Sequence, residues 1–153
     1  MTVEIGQVAP DFTLKDQTNT EVTLSSFKGD KAVALVFYPF TFTGVCQGEL
    51  CELRDDNSQY EKAGMQVLAV SCDSRHAQAK WAEEQGFGFP VLSDFWPHGE
   101  VAKAYGVFND ALGCANRATF IIGKDGTVVD TFATDSLATP REASSYKDAL
   151  TKI

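Results

Sequence analysis

Metal-ligating patterns are the first thing this chain lacks. Among its 153 residues there are four cysteines and two histidines, and neither C-x2-C nor H-x3-5-H spacing occurs. A zinc site is therefore not expected. The cysteines, Cys46, Cys51, Cys72 and Cys114, are spaced too irregularly for a disulfide framework, apart from the C-x4-C pair made by the first two. Apolar runs are short, and none approaches the roughly 20 residues that a membrane-spanning helix needs. Residues 1–6 hold neither the basic nor the apolar segment of a secretory leader. A cytoplasmic location is expected, where thiols stay reduced. Basic residues are scarce as well, 13 against 21 acidic ones, for a net charge of −8. Such a chain carries no broad electrostatic footprint for nucleic acid or for an anionic membrane. Internal repeats and low-complexity linkers are missing too, so residues 1–153 read as a single domain with one sizeable core.

What is present is an alternation of apolar, β-rich runs with polar, helix-compatible ones. Residues 11–14 and 21–24 alternate apolar and polar side chains about Asp16-Gln17-Thr18-Asn19, which predicts an N-terminal β-hairpin. Residues 32–38 and 66–72 are largely apolar throughout, as expected of central strands covered on both faces. Between them the sequence predicts a helix capped by Thr43, running to about Ala63 and stopped by Gly64. Further helices are expected at residues 76–85 and 99–105, ended by Gly86 and Gly106, with a short strand at 89–92. Residues 117–122 and 127–132 predict a hairpin across Gly123-Lys124-Asp125-Gly126. Thr139-Pro140-Arg141-Glu142 reads as a capping box with proline at the first helical position, opening a last helix. Strand, helix and strand in succession imply a right-handed parallel crossover, and the closing hairpin adds antiparallel strands. The expected fold is α/β and thioredoxin-like: a mixed central sheet flanked by helices, with an N-terminal β-hairpin.

The stretch Pro39-Phe40-Thr41-Phe42-Thr43-Gly44-Val45-Cys46 delivers a cysteine to the point where a buried strand turns into a helix. With Thr43 at the N-cap, Cys46 falls three positions into the helix, facing backbone N–H groups that lack an intrahelical acceptor. The helix dipole favours an anion there by roughly 0.3–1 kcal/mol, and by more where the site is partly buried. An ordinary thiol is only a few per cent ionised at neutral pH, so such help decides whether it is a nucleophile. Position alone fits Cys46 equally well as a small buried hydrophobe at a helix start. Cys72 closes an apolar strand and reads as structural. Cys114 reads the same way, although its Gly-Cys-Ala loop makes it the reserve redox candidate. His76 and His98 read as surface or helix-start residues with no partner that would make either a base.

Pro39-x-x-x-Thr43-x-x-Cys46 resembles the active-site motif of the peroxiredoxins, thiol peroxidases on a thioredoxin-like fold. The resemblance continues through Ala9-Pro10-Asp11-Phe12-Thr13-Leu14, Phe89-Pro90-Val91-Leu92-Ser93-Asp94, Ala104-Tyr105-Gly106-Val107 and Arg117-Ala118-Thr119-Phe120-Ile121-Ile122. Residues 42–50 and 93–99 are similar to the one-cysteine AhpE-like branch of actinobacteria. The resemblance implies that Cys46 is the peroxidatic cysteine. Its thiolate would attack hydrogen peroxide, an organic hydroperoxide or peroxynitrite and become a sulfenic acid. Thr43 is implied as hydrogen-bond donor to peroxide and thiolate, Arg117 as the stabilising cation, and Pro39 as the shield against solvent. Glu49, one helical turn after Cys46, would orient Arg117. No metal, haem or flavin is implied. The family expectation is a homodimer, reduced by a partner such as mycothiol with mycoredoxin, or thioredoxin.

Cys51 stays open at this point. C-x4-C spacing also occurs in the PrxQ branch, where the second cysteine can resolve the first within one chain. In an unbroken helix, residues five apart have Cα atoms roughly 8–9 Å apart, beyond the span of about 7 Å that a disulfide tolerates. A Cys46–Cys51 bond therefore requires the first helical turns to unwind, which Gly44 and Gly48 ease. Cys51 is either that resolving cysteine or an inert, core-facing thiol. Two other function classes compete: a thioredoxin-type thiol–disulfide oxidoreductase, against which the missing C-x2-C counts, and a redox-sensing module that passes oxidation to a partner.

Overall fold

In a computed structural model describing residues 2–153, the chain runs through β1 (Thr13–Lys15), β2 (Glu21–Thr23), β3 (Ala32–Phe37), α1 (Gly44–Lys62), β4 (Met65–Ser71), α2 (Arg75–Gln85) and β5 (Val91–Ser93). It continues through α3 (Glu100–Ala104), β6 (Phe108–Asn109), β7 (Cys114–Ala115), β8 (Ala118–Ile122), β9 (Val128–Ala133) and α4 (Ala143–Ala149). Seven strands form one sheet in the order β2-β1-β5-β4-β3-β8-β9. The centre is parallel, β3 with β4 and β4 with β5, and both flanks are antiparallel. This is the thioredoxin-like α/β plan, with the N-terminal hairpin added beside β5.

The two central strands, β3 and β4, are largely apolar because each face of the sheet is covered. Ala32, Ala34 and Val36 of β3 and Met65, Val67 and Ala69 of β4 face α1, α2 and α4, packing with Leu50, Leu53, Trp81 and Tyr146. Val33, Leu35 and Phe37, with Leu68 and Val70, face the opposite way, onto Val101 and Ala102 of α3, Tyr105 just after it and Phe12 of the N-terminal segment. The side chains alternate strictly, so a register slip of one residue would exchange the two cores. The free N–H groups at the start of α3 are taken up by the buried Asp94 carboxylate, which accepts from Val101 at 3.1 Å and Ala102 at 2.9 Å.

Several boundaries differ from expectation for identifiable reasons. Thr43 does stand at the N-cap of α1, yet its side chain accepts no helix N–H; its hydroxyl donates to the Phe40 carbonyl at 2.6 Å. The last helix starts at Ala143 rather than at residue 140, with Glu142 as its N-cap and no side-chain cap bond. Arg141 is drawn instead into a buried ion cluster described below, which holds the expected first turn out of the helix. Cys114 is not in a loop: it pairs with Asn109 in the two-stranded β6–β7 ribbon and is fully buried. Two-residue strands are too short to leave an alternation signal.

Gly99, at the head of α3, has φ of +71° and lies against the Phe108 ring, which a Cβ there would overlap. Gly99→Ala is expected to destabilise the fold by about 2–4 kcal/mol, from left-handed strain plus overpacking. The check is urea unfolding, with a lowered midpoint at unchanged slope.

Candidate active site

β3 ends against residues 38–43, and α1 then carries Cys46 inward on its first turn. Cys46 is fully buried, and Pro39, just past β3, is buried too. From across the sheet, Arg117 reaches the sulfur from the residue just before β8. Its Nη2 donates to Cys46 Sγ at 3.1 Å, its Nη1 to Glu49 Oε1 at 2.6 Å, and its Nε to the Leu137 carbonyl at 2.7 Å. All three guanidinium nitrogens are therefore committed, and the group is only 2% exposed. A guanidinium donates and never accepts, so the sulfur beside it must be the acceptor, a role a thiolate fills best.

Glu49 is the hub. Helical spacing places it one turn beyond Cys46 on the buried face of α1, where it meets a second cation. Arg141 donates from its backbone N–H to Glu49 Oε2 at 2.6 Å, from Nε to Oε2 at 2.9 Å, and from Nη2 to Oε1 at 2.9 Å. Its Nη1 reaches the Phe37 carbonyl at 2.7 Å and Thr119 Oγ1 at 3.1 Å, and Thr119 in turn bonds the Tyr146 hydroxyl at 2.8 Å. Burial by itself would push the Glu49 carboxyl up. The hydrogen bonds and charge of Arg141, aided by Arg117, outweigh it and hold the group below the usual carboxylate range. Two buried guanidinium groups and one buried carboxylate leave one unit of positive charge uncompensated. Cys46 Sγ, 3.1 Å from Arg117 Nη2, is the acceptor that meets this excess positive charge, and buried charge is costly unless paired.

The structure thus brings Cys46, Arg117 and Glu49 into one contact cluster. Thr43 is at the helix start but exposed, and its hydroxyl is turned to Phe40. Its proton being committed there, the Thr43 oxygen is left as an acceptor. Cys51 lies one and a half turns further along an unbroken α1, half-buried, with its thiol donating to Gln85 Oε1 at 3.6 Å. Burial first, and then the nearby Asp94, push the Cys72 thiol up to about 12. Burial, and then Asp73 and Cys46, raise the Cys114 thiol as well. Both thiols are thus pushed toward the neutral form. Sequence reasoning missed Arg141, which it read as a helix-start residue. The one available signal was Glu49 itself, an acidic residue on an apolar helix face.

The sequence matches the family model described as AhpC/TSA family over residues 5–131. It is 49% identical over 126 residues to alkyl hydroperoxide reductase E of Mycobacterium tuberculosis, with 82% of each chain covered. It is 39% identical over 127 residues to chloroplastic peroxiredoxin Q of Triticum aestivum, covering 82% of this chain and 57% of that one. Among solved structures, peroxidoxin BcpB from Mycobacterium tuberculosis superposes with a TM-score of 0.86 at 33% identity, covering 98% of this chain and 96% of the other. Enterococcus faecalis AhpC superposes with a TM-score of 0.87 at 30% identity, covering 99% and 92%.

The Glu49 cluster makes a prediction for stability. A carboxyl held low in the folded state stabilises the protein above the ordinary glutamate range, and that contribution is lost as pH falls through the lowered value. Glu49→Gln is expected to cost about 3–5 kcal/mol at neutral pH, because two buried guanidinium groups lose their counter-charge. It should also flatten the acid limb of the stability–pH curve, measured by urea unfolding at stepped pH.

Proposed function

The chain belongs to the AhpC/TSA family of peroxiredoxins, and on that footing we propose that it is a thiol-dependent peroxidase with Cys46 as its nucleophile. The observation that carries this reading is the 3.1 Å contact between Arg117 Nη2 and a fully buried Cys46 Sγ. The thiolate attacks one oxygen of the peroxide, an S–O bond forms as the O–O bond breaks, and the distal oxygen takes up a proton and departs as water or alcohol. Cys46 is left as a sulfenic acid. Charge moves from sulfur to the leaving oxygen during this step, and Arg117, fixed by Glu49 and Leu137, meets that charge without reorganising. Thr43 aligns the peroxide through its hydroxyl oxygen, and Pro39 keeps bulk water from the sulfur. Hydrogen peroxide, organic hydroperoxides and peroxynitrite are the proposed substrates.

The proposed assembly is a cytoplasmic homodimer, a reading supported by the exposed rings of Phe42, Phe95 and Trp96. Mycothiol with mycoredoxin is the proposed reductant, given the mycobacterial relative, and thioredoxin is the alternative.

Cys46→Ser is expected to abolish peroxide consumption, and retained turnover in that variant would overturn the assignment. Arg117→Met should lower the second-order rate constant for peroxide by about 10²–10³-fold, the usual loss for one fixed donor at a developing anion. Stopped-flow kinetics reads both.

Cys51 is carried forward as the resolving candidate. One equivalent of peroxide should then yield a Cys46–Cys51 disulfide, detected by mass spectrometry. A lasting Cys46 sulfenic acid beside a free Cys51 thiol would assign reduction to an external thiol.

A further inference from the structure

The two halves of a peroxidase cycle ask opposite things of this site. Attack on peroxide needs Cys46 enclosed against Arg117. Reduction needs the sulfenic sulfur to reach another thiol, yet Cys46 is fully buried and Cys51, further along an unbroken helix, is turned to Gln85. Residues 39–43 must therefore move within each turnover, and their attachments are few. The Thr43 hydroxyl bonds within the segment, to Phe40, and its carbonyl only the adjoining first turn of α1, at Gln47 N–H; Thr41 Oγ1 bonds the adjoining Tyr38 hydroxyl at 3.0 Å. Among the described residues, one hydrogen bond ties this segment to a distant element: the Thr41 N–H donates to Asp73 Oδ2 at 2.8 Å.

Asp73, just past the end of β4, is itself braced from three sides. The Ser71 hydroxyl donates to the same Oδ2 at 2.6 Å. Gln78 of α2 donates to Ser71 Oγ at 2.9 Å, and Ser93 at the end of β5 donates to the Asp73 carbonyl at 2.7 Å. Opposing this hold, Phe42 sits at φ of +65°, a left-handed conformation that a bulky side chain adopts only under constraint. Among the described residues, the fully buried Gln78 Oε1 has no hydrogen-bond partner in this arrangement. The segment is thus strained at Phe42 and fastened at Thr41.

Building on the peroxidase reading, we propose that Asp73 is a positioning residue, a latch on Thr41 that keeps the Cys46 segment closed for peroxide and releases it for reduction. Its strength against the strain at Phe42 sets the partition of the protein between a peroxide-reactive form and a thiol-accessible form.

The test compares Asp73→Ala and Asp73→Asn with the parent chain in the two half-reactions separately. Trp81 serves as fluorescent reporter, since it packs against Phe42 at 6.3 Å and Tyr38 at 5.5 Å. Oxidation by hydrogen peroxide should slow about tenfold in Asp73→Ala as the closed geometry is lost, while reduction of the sulfenic acid by dithiothreitol speeds up several-fold. Asp73→Asn, which keeps an acceptor oxygen, should fall between. Opposite shifts are what a latch produces; both rates falling together, or neither moving, overturns it. A second measurement needs no turnover. In the thiol form of the parent protein, hydrogen exchange at the Thr41 amide should be slow, and in Asp73→Ala, which lacks the acceptor, at least about tenfold faster. Equal exchange overturns the latch even if peroxide is consumed as proposed. A parent protein that consumes no peroxide overturns the peroxidase reading instead, and the exchange comparison still decides the latch.

Discussion

One carboxylate holds two guanidinium groups inside this protein, and the reactive sulfur depends on it. Glu49 fixes Arg117 at 2.6 Å and Arg141 at 2.9 Å, and Arg117 then has a single direction left for its Nη2, toward Cys46. The cluster is costly to build, since each ion gives up water. What it returns is position: a cation whose every nitrogen is committed cannot drift when charge moves from sulfur to oxygen. The same cluster shapes the fold. By taking the backbone N–H of Arg141 as well as its side chain, Glu49 ties the stretch before α4 to α1, and α4 begins only at Ala143. Site and C-terminal architecture are one arrangement seen from two ends.

Much of the frame could be read from sequence because its causes are local. β3 and β4 are covered on both faces and so are largely apolar without alternation, and Gly86 ends α2 in the left-handed conformation that such a stop requires. The strand-to-helix delivery of Cys46 follows from the same local signals, and Arg117 followed from the resemblance. Arg141, Thr41 and Asp73 were not legible, because their roles arise from long-range pairing: Arg141 lies 92 residues from Glu49, and Asp73 lies 32 from Thr41. Thr139-Pro140-Arg141-Glu142 shows the conflict directly. Its local pattern asks for a helix start, and a buried ion pair outweighs the few tenths to about 2 kcal/mol that capping offers.

The four cysteines show how far environment separates identical side chains. Cys72 and Cys114 lie among apolar neighbours and near acidic ones, so both thiols are pushed toward the neutral form. Cys46 is just as buried, yet it receives a guanidinium N–H and helix N-terminal geometry. Cys51 has neither arrangement and stands half-buried beside a glutamine. Burial alone therefore does not sort a reactive thiol from an inert one; the sign of the charge that shares the burial does.

That charge argument also gives oxidation a mechanical consequence. In the proposed cycle a Cys46 thiolate would balance the spare guanidinium, and the Arg117 contact would be charge-assisted at both ends. Once the sulfur carries a hydroxyl and is neutral, the contact loses one of its charges and roughly half its strength. Glu49 and the Leu137 carbonyl still hold Arg117 in place, so the weakening falls on the sulfur side, on α1's first turn and the segment before it. That segment is the one strained at Phe42 and fastened through Thr41. The chemistry thus removes a hold on the closed form at the step when the cycle next needs it open, and the cation stays ready for the sulfur's return.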